Sequence, residues 1–277
     1  MNKDIPQMVV KAFFLEGMGN IVKIFFTLLS FDTNSKIENT DGYIFGNYDT
    51  LFDAKHVYKR VDDKYIHYLT GCRFTLLRED EEGQNDLSYY STDIDDISIN
   101  SDKFHCYFPI SNFKIDMCYD VSKISEKIKN KFLSIKNSVS YTDIINLKME
   151  QLLPSDNTLS ISVRTWKCKH ESNIHRDYDF DLYNIAIRDV VKKNVVTKIV
   201  LSVDNFEYLP PYIELFKELN IEYSVLYHDD DLNDLQNAFI KMYTLSRSSY
   251  FICNRISTFS EMVFWYSDCK IKVYTVC

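Results

Sequence analysis

Glycine is scarce in this chain. Six occur in 277 residues, and two of them, Gly17 and Gly19, have only Met18 between them. A backbone with so few permissive positions concentrates them where it bends sharply or meets a ligand closely. No C-x-x-C pair occurs among the seven cysteines, Cys72, Cys106, Cys118, Cys168, Cys253, Cys269 and Cys277. Zinc-ribbon spacing is thereby excluded, and the odd count fits a reducing compartment. Cys253 lies inside an apolar run and reads as a small buried hydrophobe. A strongly basic block is lacking too, and the net charge of −8 argues against a general nucleic-acid binder. The longest early apolar run, residues 21–29, is interrupted by Lys23 and is too short to cross a bilayer, so no transmembrane segment is expected. No basic region followed by a long apolar stretch opens the sequence, so no signal peptide is expected and the expected location is cytoplasmic. Internal repeats and low-complexity segments are absent as well.

Aromatic residues are abundant, with 20 Tyr and 19 Phe. They serve as core filling or as stacking platforms for sugars and bases. The length suits one large or two ordinary domains. Residues 8–15 read as a first strand, followed by a tight turn at Glu16-Gly17-Met18-Gly19-Asn20 and a helix over 21–31. Residues 66–77 and 104–110 read as strands, 78–102 as acidic surface loops, and 124–135 and 143–153 as helices. Pro154-Ser155-Asp156-Asn157 is the linker candidate, which divides the chain into residues 1–154 and 155–277.

Beyond that point the pattern is regular. Strands are expected at 158–163, 198–203, 222–227, 250–253 and 270–276. Helices are expected at 181–192, 211–219, 231–245 and 257–266. Strands alternating with helices at this spacing imply a parallel, doubly wound α/β sheet. Such sheets bind ligands just past the carboxyl ends of their strands.

Three strand ends carry polar groups suited to that position. One is Ser162-Val163-Arg164-Thr165, where the Arg164 guanidinium either forks onto phosphate oxygens or ties loops to a surface carboxylate. Another is Ser202-Val203-Asp204, where Asp204 either accepts hydrogen bonds from a nucleoside or begins a turn. The last is Ser257-Thr258-Phe259-Ser260, at the start of a helix. One hydroxyl suffices for an N-cap, and three around a phenylalanine favour a bound phosphate on the free N–H groups of the helix terminus.

At these residues the chain resembles the fucosyltransferase superfamily, which groups α1,2- and α1,6-fucosyltransferases, bacterial nodulation fucosyltransferases and protein O-fucosyltransferases. The family's G-x-G-N after the first strand is matched by Gly17-Met18-Gly19-Asn20. Its H-x-R motif is matched by Ser162-Val163-Arg164, its S-x-D by Ser202-Val203-Asp204. Its closing helix, apolar strand and N-S-S-F-S turn correspond to Asp234-Leu235, Met242, Ser246, the run 250–253, Asn254 and Ser257-Thr258-Phe259-Ser260. The motifs keep their order over residues 8–33 and 158–277. The chain departs from the pattern where Ser162 replaces the histidine and Thr165 the second arginine. It departs again where Arg255-Ile256 is inserted before Ser257.

The resemblance implies a GT-B architecture, with two Rossmann-like domains and a donor-binding cleft between them. Residues 1–154 would form the acceptor-side domain and 155–277 the nucleotide-sugar domain. It further implies an inverting, metal-independent glycosyltransferase whose donor is a nucleotide-diphospho-sugar, typically GDP-fucose, and whose acceptor is a glycan or glycoprotein. No cofactor beyond the donor is implied. Arg164 would neutralise the diphosphate, Ser257, Thr258 and Ser260 would hold the same phosphates, and Phe259 would belong to the same donor site. Asp204 would lie near the nucleoside, and Ser202 would belong to the same donor site. Gly17, Gly19 and Asn20 would close over the donor, and Glu16 would be the general base. His175, Asp177 and Asp179 are reserve acids and bases on the loop after Arg164.

Three other readings compete. One keeps the fold and exchanges the donor for another sugar nucleotide, such as a xylose, galactose or rhamnose donor. The second is a GT-A type enzyme using a metal at His228-Asp229-Asp230-Asp231 or Asp93-Ile94-Asp95-Asp96, although the first of these also suits a helix N-terminus. The third is a nucleotide-binding domain without catalysis, favoured by the replaced histidine and arginine.

Overall fold

Each of the two sheets grows outward from a central parallel strand. The computed structural model describes residues 9–12, 18–19, 22, 25–26, 29, 36–38, 48–58, 66–69, 75–78, 104–105, 126–165, 178–254 and 257–276. Glu16, Gly17, Asn20, His175, Asp177, the acidic stretch 78–102 beyond Arg78, and Arg255-Ile256 lie outside the described residues. The chain divides into two compact units. One comprises Met1–Asn112, Ser125–Leu147 and Asn233–Gln236, the other Phe113–Ile124, Lys148–Leu232 and Asn237–Cys277.

In the first unit, β1 (Val9–Ala12) has β2 (Lys36–Glu38) and β4 (Ile66–Leu69) as parallel neighbours. β3 (Val57–Tyr58) extends the parallel run, and β5 (Thr75–Arg78) and β6 (Phe104–His105) add antiparallel strands. The strand expected over 66–77 is therefore two strands of opposite direction. Gly71 lies in the sequence between them. Met18, Gly19, Val22, Phe25, Phe26 and Leu29 are helical and buried, spaced as one face of a helix. The helix expected from residue 21 is thus already formed at Met18, and Gly19 belongs to it rather than to a tight turn. Phe25 packs on Phe52 with ring centroids 4.1 Å apart, and Phe26 stacks at 5.0 Å on Phe132 of α1 (Glu126–Ser138). A second helix, α2 (Asp143–Glu150), follows.

The second unit holds the expected parallel, doubly wound sheet. Its strands are β7 (Ser155–Val163), β8 (Lys198–Val203), β9 (Glu222–Val225), β10 (Ser248–Asn254) and β11 (Lys272–Val276). All four pairings are parallel and the spatial order is β11-β10-β7-β8-β9. Chain direction across the sheet reverses between β7 and β10, which makes the carboxyl end of that pair the topological switch point.

Strand alternation decides which face each helix covers. Leu159, Ile161 and Val163, with Ile199, Leu201, Val203 and Ile252, share a core with Tyr183, Ile187 and Val190 of α3 (Phe180–Lys193). Tyr212, Leu215 and Phe216 of α4 (Pro210–Glu218) complete that layer. Thr158, Ser160 and Ser162 alternate onto the opposite face, where the Ser160 hydroxyl donates to the Leu245 carbonyl at the end of α5 (Asp234–Leu245). The last helix is α6 (Thr258–Tyr266), with Trp265 and Tyr266 fully buried.

The linker expected at Pro154-Ser155-Asp156-Asn157 is a different structure. Ser155, Asp156 and Asn157 already belong to β7. Asn157 takes φ of 57°, a left-handed value that asparagine tolerates, and the register against β10 shifts there. Turn-forming residues thus mark an irregularity at the start of a strand rather than a break between elements.

Candidate functional site

The switch point is where the candidate residues of the second unit gather. Arg164 follows β7, Asn254 ends β10, Asp204 follows β8, and Ser257 precedes α6. Two side chains pin the turn that carries Arg164. From one flank, Asn254 Oδ1 accepts the Arg164 backbone N–H at 2.9 Å. From the other, the Asp204 carboxylate accepts the Thr165 N–H at 2.8 and 3.0 Å and the Thr165 hydroxyl at 2.8 Å. The backbone of residues 164–165 is therefore strapped to both neighbouring strands, leaving the Arg164 guanidinium on a fixed stem. Asp204 spends its carboxylate on this strap, a use distinct from the nucleoside contact implied by the resemblance.

Asn254 is itself braced. The Tyr183 hydroxyl donates to Asn254 Oδ1, with the Ser162 carbonyl oxygen 3.4 Å away as a weaker partner. Tyr183 is nearly fully buried in the first turns of α3, the helix whose N-cap is Asp179. Asp179, counted among the reserve acids, thus serves as a cap, accepting the Asp181 N–H at 2.9 Å. Beside Tyr183, the Tyr178 hydroxyl donates to Tyr212 Oη at 3.2 Å. Burial pushes the phenols of Tyr178, Tyr183 and Tyr212 above the ordinary tyrosine value, because a tyrosinate would be poorly solvated there. All three remain protonated at neutral pH, so Tyr178 and Tyr183 donate, Tyr212 accepts from Tyr178, and none serves as a base.

The hydroxyl-rich turn divides its labour. Ser257, in extended conformation, is the N-cap of α6 and accepts the Ser260 N–H at 3.3 Å. Ser260 is buried, Phe259 half-buried, and Thr258 begins the helix. Ser202 is buried in β8, directly across from Ser162 of β7. In the first unit, Gly19 is placed in a helix, and its proposed neighbours Glu16, Gly17 and Asn20 are outside the described residues.

The acidic run at 228–231 has an internal use. Asp229 Oδ2 lies 2.6 Å from Lys148 Nζ, and Oδ1 accepts the Asp231 N–H at 3.1 Å. The hydrogen bond from Lys148 holds the Asp229 carboxyl below the usual range. Asn237 gathers the same turn, donating to the Asp229 and Leu232 carbonyls at 2.9 Å. Among the described residues, no three His, Cys, Asp or Glu side chains are grouped so as to hold a metal ion. No described helix is long and apolar enough to cross a membrane.

Two features of this edge escape sequence reasoning. Tyr183 reads as an ordinary core residue, since its ring lies on the apolar stripe of α3 and only its hydroxyl reaches Asn254. Phe206 and Tyr227 are the other case. They follow β8 and β9, and nothing in periodicity places their rings together, yet they stack with centroids 5.3 Å apart and planes at 13°.

No protein-family model matches the sequence, and no curated protein matches it. Solved structures do match. A crystal structure of POFUT1 in complex with GDP-fucose aligns with a TM-score of 0.53 at 12% identity, covering 99% of this chain and 99% of that one. A POFUT1 complex with GDP gives 0.52 at 13% identity, covering 98% and 97%. A mutant of FUT1 from Arabidopsis thaliana in complex with GDP gives 0.54 at 11% identity, covering 99% of this chain and 71% of that one. At these identities the likeness is one of fold, and it extends over nearly the whole chain.

Proposed function

We propose that this chain, whose fold is that of the fucosyltransferases, is a glycosyltransferase. In this reading it moves a sugar, fucose from GDP-fucose, onto a hydroxyl of a glycan or protein, with inversion and without a metal ion. The observation that carries the reading is the doubly strapped Arg164 turn at the switch point of the second sheet. Residues 155–277 hold the donor, its diphosphate between Arg164 and the N-terminus of α6. Residues 1–154 serve the acceptor. The acceptor oxygen attacks the anomeric carbon as the bond from that carbon to the phosphate oxygen breaks. GDP leaves with the bonding electrons, and the acceptor proton passes to a base, for which Glu16 is the candidate. Negative charge grows on the departing diphosphate, where a preorganised guanidinium stabilises the transition state more than the ground state.

Because that positive charge comes from Arg164, release of GDP from GDP-fucose is expected to persist in excess EDTA. Chromatographic quantitation of GDP with and without added Mn²⁺ checks this. Strict Mn²⁺ dependence would support the GT-A reading instead, although the Lys148–Asp229 pairing disfavours a metal at that turn. Release from a UDP-sugar and not from GDP-fucose would keep the reaction and change the donor. A second reading, binding without turnover, draws on Ser162 and Thr165 standing where the family pattern has histidine and arginine. Thr165 is moreover engaged with Asp204. Tight GDP binding with no sugar release would favour it. A cytoplasmic location belongs to the same proposal, and the odd number of cysteines without a C-x-x-C pair supports it.

A further inference from the structure

Three large apolar side chains left open to solvent lie on the same edge of the second sheet as Arg164. They are Phe206, Tyr208 and Tyr227, with 41%, 38% and 63% of their surface exposed. Tyr208 is engaged edge-on by Tyr178 at 4.6 Å. Phe206 and Tyr227 instead lie nearly parallel, one after β8 and one after β9. Each follows a hydrogen-bonded stretch of backbone. Asn205 caps the short 3-10 turn Phe206–Tyr208 through the Glu207 N–H at 3.0 Å. The Leu226 N–H donates to Leu201 O at 2.8 Å, which carries the β8–β9 ladder to the residue before Tyr227. A rigid pair of stacked rings with its outer face in water is a binding surface held ready, because ordering it costs the ligand little.

Its place on the edge says what it binds. Reading across the sheet, the order is Tyr227 beyond β9, Phe206 and Asp204 beyond β8, Arg164 beyond β7 and Asn254 at the end of β10. Counted in strands about 4.8 Å apart, the β8–β9 side that carries the rings is one to two strands from the Arg164 turn and two to three from the β10 end leading to α6. In a nucleotide sugar, the base and the transferred sugar lie at opposite ends of the ribose-diphosphate. With the phosphates at Arg164 and α6, one end of the donor points along the edge toward β8 and β9, and the only flat ring it carries is its base.

We propose that Phe206 and Tyr227 form the stacking platform for the nucleobase of the donor. The proposal rests on the donor reading given above. The test titrates the full chain and its Phe206→Ala and Tyr227→Ala variants by calorimetry with two probes, GDP and inorganic pyrophosphate. Both residues are solvent-exposed, and thermal melts check that both variants fold as the parent does. Loss of a stacking ring is expected to weaken GDP roughly 10- to 100-fold. Pyrophosphate, which has no base, is expected to bind all three proteins equally. Phe206→Tyr and Tyr227→Phe are expected to restore GDP affinity. Unchanged GDP affinity in both alanine variants would overturn the platform while leaving the donor site standing. So would parallel losses for GDP and pyrophosphate. A wild-type chain that binds neither probe would overturn the donor reading, and the platform with it.

Discussion

Arg164→Ala is expected to lower the rate of GDP release from GDP-fucose by roughly 10³-fold or more. Its melting temperature is expected to stay within about 2 °C of the parent. The two halves of this prediction have separate causes. The strap to Asn254 uses the backbone N–H of residue 164, which alanine keeps. The strap to Asp204 uses Thr165, which is untouched. The turn therefore holds its shape while the guanidinium is lost. Arg164→Lys is expected to fall between the two, because a lysine keeps the charge without the planar fork that matches a diphosphate. Turnover measured alongside thermal melts checks both halves, and near-normal turnover in the alanine variant would remove Arg164 from the chemistry.

Asn254→Leu carries the second large effect, and there stability and turnover fall together. The substitution removes the acceptor shared by the Arg164 N–H and the Tyr183 hydroxyl. Tyr183 is buried, with only the Ser162 carbonyl oxygen at 3.4 Å to fall back on. Leaving such donors poorly satisfied costs about 1–3 kcal/mol each. The expected result is a melting temperature several degrees lower, with roughly 10- to 100-fold slower turnover from a loosened Arg164 stem. Asn254→Asp keeps oxygen acceptors at the same position and is expected to recover most of the stability. Its added negative charge beside the diphosphate site leaves turnover low. Melts and kcat on the three proteins separate the two contributions. A leucine variant with parental turnover would show that the brace has no bearing on Arg164.

The second unit was largely legible in the sequence, and the reason is periodicity. Runs such as 199–203 are apolar but for Ser202, as buried parallel strands are, and they alternate with amphipathic helices long enough to show their spacing. The residues at the carboxyl ends of those strands followed from the same pattern. Tertiary partners were not legible. That Asp204 would turn toward Thr165, or that Tyr183 would reach Asn254 from 71 positions away, depends on how α3 packs, which no local pattern states. The first unit was harder. β2 and β3 span three and two residues, too short for any alternation to register. Asn157 misled for a specific physical reason, because a left-handed residue inside a strand carries the same chemistry as one in a loop.

A crystal structure of the chain with GDP tests the central claim most directly. The guanidinium of Arg164 is expected to lie on the diphosphate oxygens at about 2.7–2.9 Å, with the N-terminus of α6 facing the same phosphates. A diphosphate bound elsewhere, or one at the switch point with Arg164 turned away from it, would contradict the account.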